Sequence, residues 1–116
     1  MSALALHAMP SPPLVPGGEA IDLDHLSRMT LGERSLEREV LALFQRQAAL
    51  LLERMVACER SATATAAHTL RGSALGIGAW RVAQAAEAAM QAGAIEALAG
   101  AVAEARLAIA RRLNAN

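Results

Sequence analysis

The segment from residue 67 to residue 79 reads Ala-His-Thr-Leu-Arg-Gly-Ser-Ala-Leu-Gly-Ile-Gly-Ala, and its spacing is that of an amphipathic helix. Ala67, Leu70 and Ala74 recur at steps of three and four, which places them on one helix face. If this face is buried, His68 lies on the opposite face in the middle of the helix. The segment therefore predicts a helix that presents an imidazole to solvent.

The sequence before this segment predicts two more helices. Asp22 can act as the N-cap of a short helix that Gly32 ends, and Ser35 can cap a longer one. Ser61 can cap the helix that carries His68. Steps of three and four predict the inward positions, which are Leu23, Leu26 and Met29 in the first helix, Leu36, Val40, Leu43, Phe44, Gln47, Leu51 and Met55 in the second, and Thr63, Ala67, Leu70, Ala74 and Ile77 in the third.

The sequence after the segment predicts another two helices. Gly76 and Gly78 loosen the chain, a helix then runs from about Ala79 to Gln91, and Gly93 is its C-cap residue. The last helix carries Arg111 and Arg112 near its C-terminus, where the helix dipole favours cations. The inward positions of these two helices are Val82, Ala83, Ala86, Ala89 and Met90, followed by Ile95, Leu98, Ala99, Val102, Ala105, Ile109 and Leu113. Short connections between long helices predict an all-α fold: an antiparallel up-and-down four-helix bundle with a short additional N-terminal helix.

Composition supports one all-α domain in a chain of 116 residues. Apolar residues make up 54% and aromatics only 2%, with alanine and leucine dominant. All four prolines lie within residues 1–19, which predicts a flexible N-terminal arm before a helical bundle domain over residues 20–116. Cys58 is the single cysteine, so we expect an apolar filler and neither an intramolecular disulfide nor a cysteine-rich metal site.

Charge and hydropathy exclude several classes of partner. Eleven arginines balance eleven acidic residues, so no broad electrostatic footprint for nucleic acid is expected, although a compact basic patch stays open. No run approaches the roughly 18 apolar residues that a membrane span needs. Residues 1–9 lack the basic region of a signal peptide, which leaves the cytoplasm as the expected compartment.

The exposed face of the central helix is predicted to contain Ala64, Thr65, His68, Arg71, Gly72 and Leu75. A glycine inside a helix lowers its stability by about 1 kcal/mol relative to alanine, so the presence of Gly72, four residues after His68, needs an explanation. It clears space beside the imidazole, and Arg71 can offset negative charge placed there. From helix geometry alone an ordinary surface histidine, with a glycine that permits helix packing, is the more common interpretation.

The segment resembles the signature of the histidine phosphotransfer family, Ala-His-x-Leu-Lys-Gly-Ser, followed by small residues that end in Leu-Gly-Ala. In this chain the signature is residues 67–73 and its ending is residues 77–79. Residues 21–26 resemble the family's opening short helix, and Leu43-Phe44 with residues 50–52 resemble its first long helix. The resemblance covers nearly everything from Ile21 to the C-terminal helix.

The resemblance implies a phosphorelay intermediate. His68 would accept a phosphoryl group from a receiver-domain aspartate and pass it to another receiver, with Arg71 stabilising phosphate charge and Gly72 giving the partner clearance. Ala64, Thr65 and Leu75 would contact the partner. The implied partners are response-regulator receiver domains and a hybrid histidine kinase; the chain itself would need no cofactor or metal, because the receiver supplies Mg²⁺. We expect a monomer without an ATP site or kinase activity of its own.

The sequence departs from the family pattern in two places. Arg71 stands where the family usually has lysine, which keeps the charge and changes its shape. A Gln or Glu of the next helix often hydrogen-bonds the phosphorylated imidazole in this family, and by spacing from His68 that place is Met90. The ring would then depend on Gln91, on water, or on no partner for its orientation.

Two alternatives stay open. Met90 favours an adaptor that binds receiver domains or kinases through the same face without being phosphorylated. Alanine-rich helices are also compatible with a structural or dimerisation element. His25 is expected to be a solvent-exposed or interface residue, Trp80 a packing anchor at the end of the bundle, and Ser73 a residue packed between helices.

Overall fold

The computed structural model describes residues 19–57 and 60–115, and it contains five helices and no strand within those ranges. The helices are α1 (Leu23–Met29), α2 (Arg34–Ala57), α3 (Arg60–Ile77), α4 (Trp80–Ala92) and α5 (Glu96–Asn114). The predicted arm over residues 1–19 lies, apart from Glu19, outside the described residues, as does Cys58. The predicted all-α class is confirmed.

The four long helices close into a bundle. Helix α2 packs on α3, α3 on α4, and α4 on α5, while α5 returns to contact α2; α1 lies against α3. Short connections make successive helices antiparallel, so the predicted bundle with a short extra N-terminal helix is confirmed. The largest fully buried side chains of its core are Leu26, Leu41, Met55, Leu70, Val82, Leu98, Val102 and Ile109.

Two of the predicted helix caps are present and two are wrong. The Asp22 carboxylate accepts a hydrogen bond from the backbone N–H of His25 at 3.1 Å, and Gly93 at φ 73° donates its N–H to the carbonyl of Ala89. Helix α2 begins at Arg34, because the carbonyl of the preceding residue already accepts a helical hydrogen bond, so Ser35 lies inside the first turn. Ser61 likewise follows the first residue of α3.

The inward faces of α3 and α4 are predicted well, and those of α1, α2 and α5 only in part. Helix α2 carries two apolar stripes, and the bundle buries the one with Leu41, Phe44, Ala48, Leu51 and Met55. The predicted inward positions that are exposed instead are Leu23, Met29, Leu36, Leu43 and Ala99. Sequence periodicity alone does not decide between two stripes on the same helix, whereas packing against the neighbouring helices does.

Helix α1 is held against the connection between α3 and α4. The backbone N–H of Asp22 donates to the carbonyl of Gly78 at 2.9 Å, and its carboxylate accepts from the indole N–H of Trp80 at 3.0 Å. His25 places its ring 4.8 Å from that indole, edge to face, and donates from Nε2 to the carbonyl of Leu75. The hydrogen bonds from the His25 backbone and from the indole lower the pKa of the Asp22 carboxyl below its ordinary value. His25 is therefore a structural interface residue, and Trp80 anchors the end of the bundle.

Gly78 is required by this contact. Its φ is +81°, and an added Cβ would lie 3.0 Å from both the Cβ and the carbonyl oxygen of Asp22. We expect Gly78→Ala to lower the unfolding free energy by about 1–3 kcal/mol, measured by urea denaturation, since the positive φ and the close approach both penalise a side chain. Gly100→Ala is the matched control, because that helical position faces open space and should gain up to about 1 kcal/mol. Equal stability of Gly78→Ala and wild type would contradict this account of the turn.

An ion pair between a buried carboxylate and a partly exposed guanidinium joins α2 to α5. Glu37 is only 5% exposed, and Arg112 donates to its two carboxylate oxygens from Nε at 2.6 Å and from Nη2 at 3.3 Å. These hydrogen bonds lower the pKa of the Glu37 carboxyl below its ordinary value of 4.5, against the opposing effect of burial. The same pairing raises the pKa of Arg112.

Because the folded-state pKa of Glu37 is depressed, its contribution to stability is full above its ordinary value of 4.5 and is lost as the pH falls towards the folded pKa. We expect Glu37→Gln to lower the unfolding free energy at pH 7 by about 1–2 kcal/mol. This value lies in the lower part of the range for charged hydrogen bonds, because Arg112 is partly exposed. Its stability should also fall less steeply than that of wild type below about pH 4.5. Denaturation series at several pH values would contradict this if both proteins had the same slope.

Candidate functional site

His68 lies near the middle of α3, and its position follows from the burial of the opposite face. Ala67, Leu70 and Ala74 are fully buried, so helical geometry turns His68 to the exterior. The imidazole is exposed, and it makes no hydrogen bond or ion pair with any other residue in 19–57 or 60–115. The exposure predicted for this residue is therefore observed.

A hydrogen bond fixes α3 against α2 beside this face. The hydroxyl of Ser73 donates to Oε1 of Gln47 at 2.9 Å, which explains the single polar residue among the predicted inward positions of α2. Thr69 bonds within its own helix, to the carbonyl of Thr65 at 3.2 Å. Ser73 accordingly lies packed between helices, as expected, and helps to hold the face that carries His68.

Two glycines follow His68 along the same face. Gly72 and Gly76 lie four and eight residues after it, and both are helical; the prediction that Gly76 loosens the chain was wrong. An added Cβ at either glycine would meet nothing within 4 Å. Helix packing therefore does not require these glycines, which removes the structural explanation for Gly72. What they provide is a strip of bare backbone next to the imidazole.

Arg71 is paired across the interface with α4. Its Nε lies 2.8 Å from Oε1 of Glu87 in an ion pair, and the side-chain amide of Gln91 donates to the other carboxylate oxygen at 3.4 Å. Met90, the family's expected position for a polar partner of the imidazole, is half-buried and packs against the core. Gln91 contacts Glu87 and makes no bond to His68.

Glu87 is the residue of this site that the sequence analysis missed. A signal was present: α3 and α4 form an antiparallel hairpin about the connection at residues 78–79, so residues at equal distances from that connection face each other. Arg71 and Glu87 nearly satisfy this condition. Once α3 and α4 are aligned as a hairpin, the opposite charges at these matching positions predict the ion pair.

Exposed apolar side chains border the face on the side of α2. Leu43 and Leu50 are 55% and 61% exposed, and Leu75 on α3 is 36% exposed. Leu43 lines a groove with Ser73 and Gly76, while Leu50 lines a second groove with Thr65 and Thr69. The face around His68 is thus apolar towards α2 and charged towards α4.

The described part of the chain contains neither a cluster of metal-binding side chains nor a helix that could span a membrane. Residues 19–57 and 60–115 contain no group of three or more His, Cys, Asp or Glu side chains placed to hold a metal ion. No helix within these ranges combines the length and the apolar character that crossing a bilayer requires.

These features define a helical bundle that presents one unpartnered imidazole beside a cation and a strip of bare backbone. The chain is similar to the histidine phosphotransferase ShpA of Caulobacter crescentus, whose crystal structure matches it with a TM-score of 0.71 at 31% sequence identity, over 83% of this chain and 92% of ShpA. No family model and no curated protein matches the chain. The identity and coverage of the ShpA match show that the chain belongs to the histidine phosphotransferase family.

Proposed function

We propose that the chain is a phosphorelay intermediate that accepts a phosphoryl group on His68 from a receiver-domain aspartate and passes it to another receiver. The observation that carries the proposal is the exposed His68 imidazole, with bare backbone at Gly72 and Gly76 on one side and Arg71 one turn on. Membership of the histidine phosphotransferase family supports it.

The reaction needs little from this chain beyond a positioned nitrogen. An unprotonated ring nitrogen attacks the phosphorus of an aspartyl phosphate, the N–P bond forms, and the P–O bond breaks with its electron pair leaving on the aspartate carboxylate. The proton on the other ring nitrogen stays in place. Imidazole suits this role because the unprotonated nitrogen of a neutral ring carries a lone pair that can attack phosphorus. Mg²⁺ and the acidic pocket belong to the receiver in this scheme.

The shape of the face suits a receiver domain. The bare strip beyond His68 lets a partner's active site approach the ring, and Leu43, Leu50 and Leu75 offer apolar area around it. Ala64 and Thr65 continue the same face towards the N-terminus of α3. Receiver domains of response regulators and of a hybrid histidine kinase are the proposed partners, and the chain acts as a monomer.

The test is phosphate uptake from a panel of phosphorylated receiver domains. Wild type should acquire acid-labile, base-stable phosphate, and His68→Gln should acquire none, because glutamine offers no nucleophilic ring nitrogen. Circular dichroism and urea denaturation serve as controls for the fold, which should be unchanged since His68 is exposed and makes no hydrogen bond or ion pair with a described residue. Acid-labile phosphate on the His68→Gln variant would exclude His68 as the acceptor.

Gly72→Gln tests the clearance argument. A glutamine side chain at this open, exposed helix position should leave stability unchanged or raise it by roughly 0.5 kcal/mol. It should slow phosphoryl transfer at least several-fold in a stopped time course, because it obstructs the approach to the ring. Unchanged transfer kinetics would remove clearance as the reason for the glycine.

An adaptor that binds receivers without being phosphorylated is the second candidate. It is favoured by Met90, which packs against the core and supplies no hydrogen bond to the imidazole. Receiver binding without phosphate on wild type would support the adaptor, and Met90→Gln would then be the variant with which to restore uptake.

A further inference from the structure

Arg71 has two possible partners in the proposed reaction, and only one of them exists before phosphorylation. In the resting protein its Nε holds the Glu87 carboxylate at 2.8 Å, and this is its only polar contact within the described part of the chain. The two terminal nitrogens of the guanidinium remain available to another acceptor. Both side chains are partly exposed, Arg71 by 38% and Glu87 by 46%, so the pair can rearrange without unpacking the core.

A phosphoryl group on His68 would compete for the same cation. Residues three apart on a helix are neighbours, about 5–6 Å between Cβ atoms, so Arg71 can reach a group attached to the imidazole. A phosphoryl group carries about two negative charges near neutral pH and accepts strong hydrogen bonds from a guanidinium. Glu87 would then lose part of its partner and would face a like charge across the α3–α4 interface.

We infer that Glu87 is a positioning residue that acts through Arg71 and destabilises phosphorylated His68 relative to the resting state. This inference rests on the proposed function of His68. The carboxylate holds the cation when the imidazole is free, and it opposes the new charge when the phosphoryl group arrives. Both effects favour the onward step, in which the N–P bond breaks, its electron pair returns to the ring nitrogen, and a receiver carboxylate oxygen forms the new P–O bond.

Helix α4 offers no polar partner to the ring at Met90 and offers a carboxylate to Arg71 instead. Met90 packs against the core, and the charged residue one turn earlier on α4, Glu87, pairs with the cation and not with the ring. A carboxylate paired with Arg71 changes the electrostatics of the phosphorylated state and leaves the resting imidazole without a partner.

The experiment measures the equilibrium of phosphoryl transfer between the full chain and one receiver domain, at low ionic strength. Glu87→Gln removes the negative charge and releases Arg71, so it should shift the equilibrium towards phosphorylated His68 by about two- to fivefold, the range expected for a partly exposed pair. Glu87→Asp keeps the charge and should recover most of the wild-type equilibrium. Raising the salt concentration should reduce the shift, because exposed charges are screened.

Two controls separate this role from a general effect on the bundle. Glu104→Gln breaks a comparable exposed pair with Arg81, at 3.0 Å between α4 and α5, and should leave the equilibrium unchanged. In an Arg71→Gln background the effect of Glu87→Gln should shrink, since the competition for the cation is gone.

The outcomes distinguish the inference from the proposed function on which it rests. Acid-labile phosphate that is absent from wild type and from Glu87→Gln would overturn the role of His68 itself. Phosphate on both proteins with equal transfer equilibria would overturn the role of Glu87 alone. A shift of Glu87→Gln away from phosphorylated His68 would also overturn it, because that result would mean that the carboxylate supports the phosphorylated state by holding Arg71 in place.

Discussion

Burial of one face of α3 is the constraint on which the remaining structure depends. Helix α3 contacts α1, α2 and α4, and its fully buried Ala67, Leu70 and Ala74 fix its rotation about its own axis. Because a helix places residues in fixed angular relation, that rotation also sets the outward direction of His68. A polar or bulky residue in the buried stripe would disturb the bundle and the direction of the imidazole together. The same buried residues of α3 therefore determine both the packing of the core and the direction of His68.

The parts of the fold that depend on local pattern were predictable. The inward stripe of α3, most of that of α4, the Asp22 N-cap and the Gly93 C-cap all follow from residue type and spacing. The inward face of α2 was not predictable in the same way, because two apolar stripes on that helix fit the same period. Leu43 belongs to the stripe that the bundle leaves exposed, and only the positions of α3 and α5 decide this.

The residues of the candidate site were likewise predictable only where they depend on the sequence of one helix. The exposure of His68 and the openness at Gly72 follow from the sequence of α3 alone. Glu87 belongs to another helix, and its relation to Arg71 depends on how the α3–α4 hairpin is aligned. That alignment depends on Gly78, whose positive φ makes the turn and whose missing side chain admits Asp22 and therefore α1. The sequence analysis lacked the alignment of α4 against α3, because no single stretch of sequence encodes it.

The arginine at residue 71 is understandable once Glu87 is considered with it. A lysine carries one compact ammonium group, so a second acceptor must share it with the first. The guanidinium of Arg71 spreads its donors over a planar fork: Nε lies 2.8 Å from the Glu87 carboxylate, and the terminal nitrogens make no polar contact in the described part of the chain. Such a side chain can move its charge between two anions by small rotations instead of a full withdrawal. In the proposed reaction the arginine at the family's usual lysine position and the carboxylate on α4 would have one explanation, since a cation shared between two anions favours a residue that can donate in two directions.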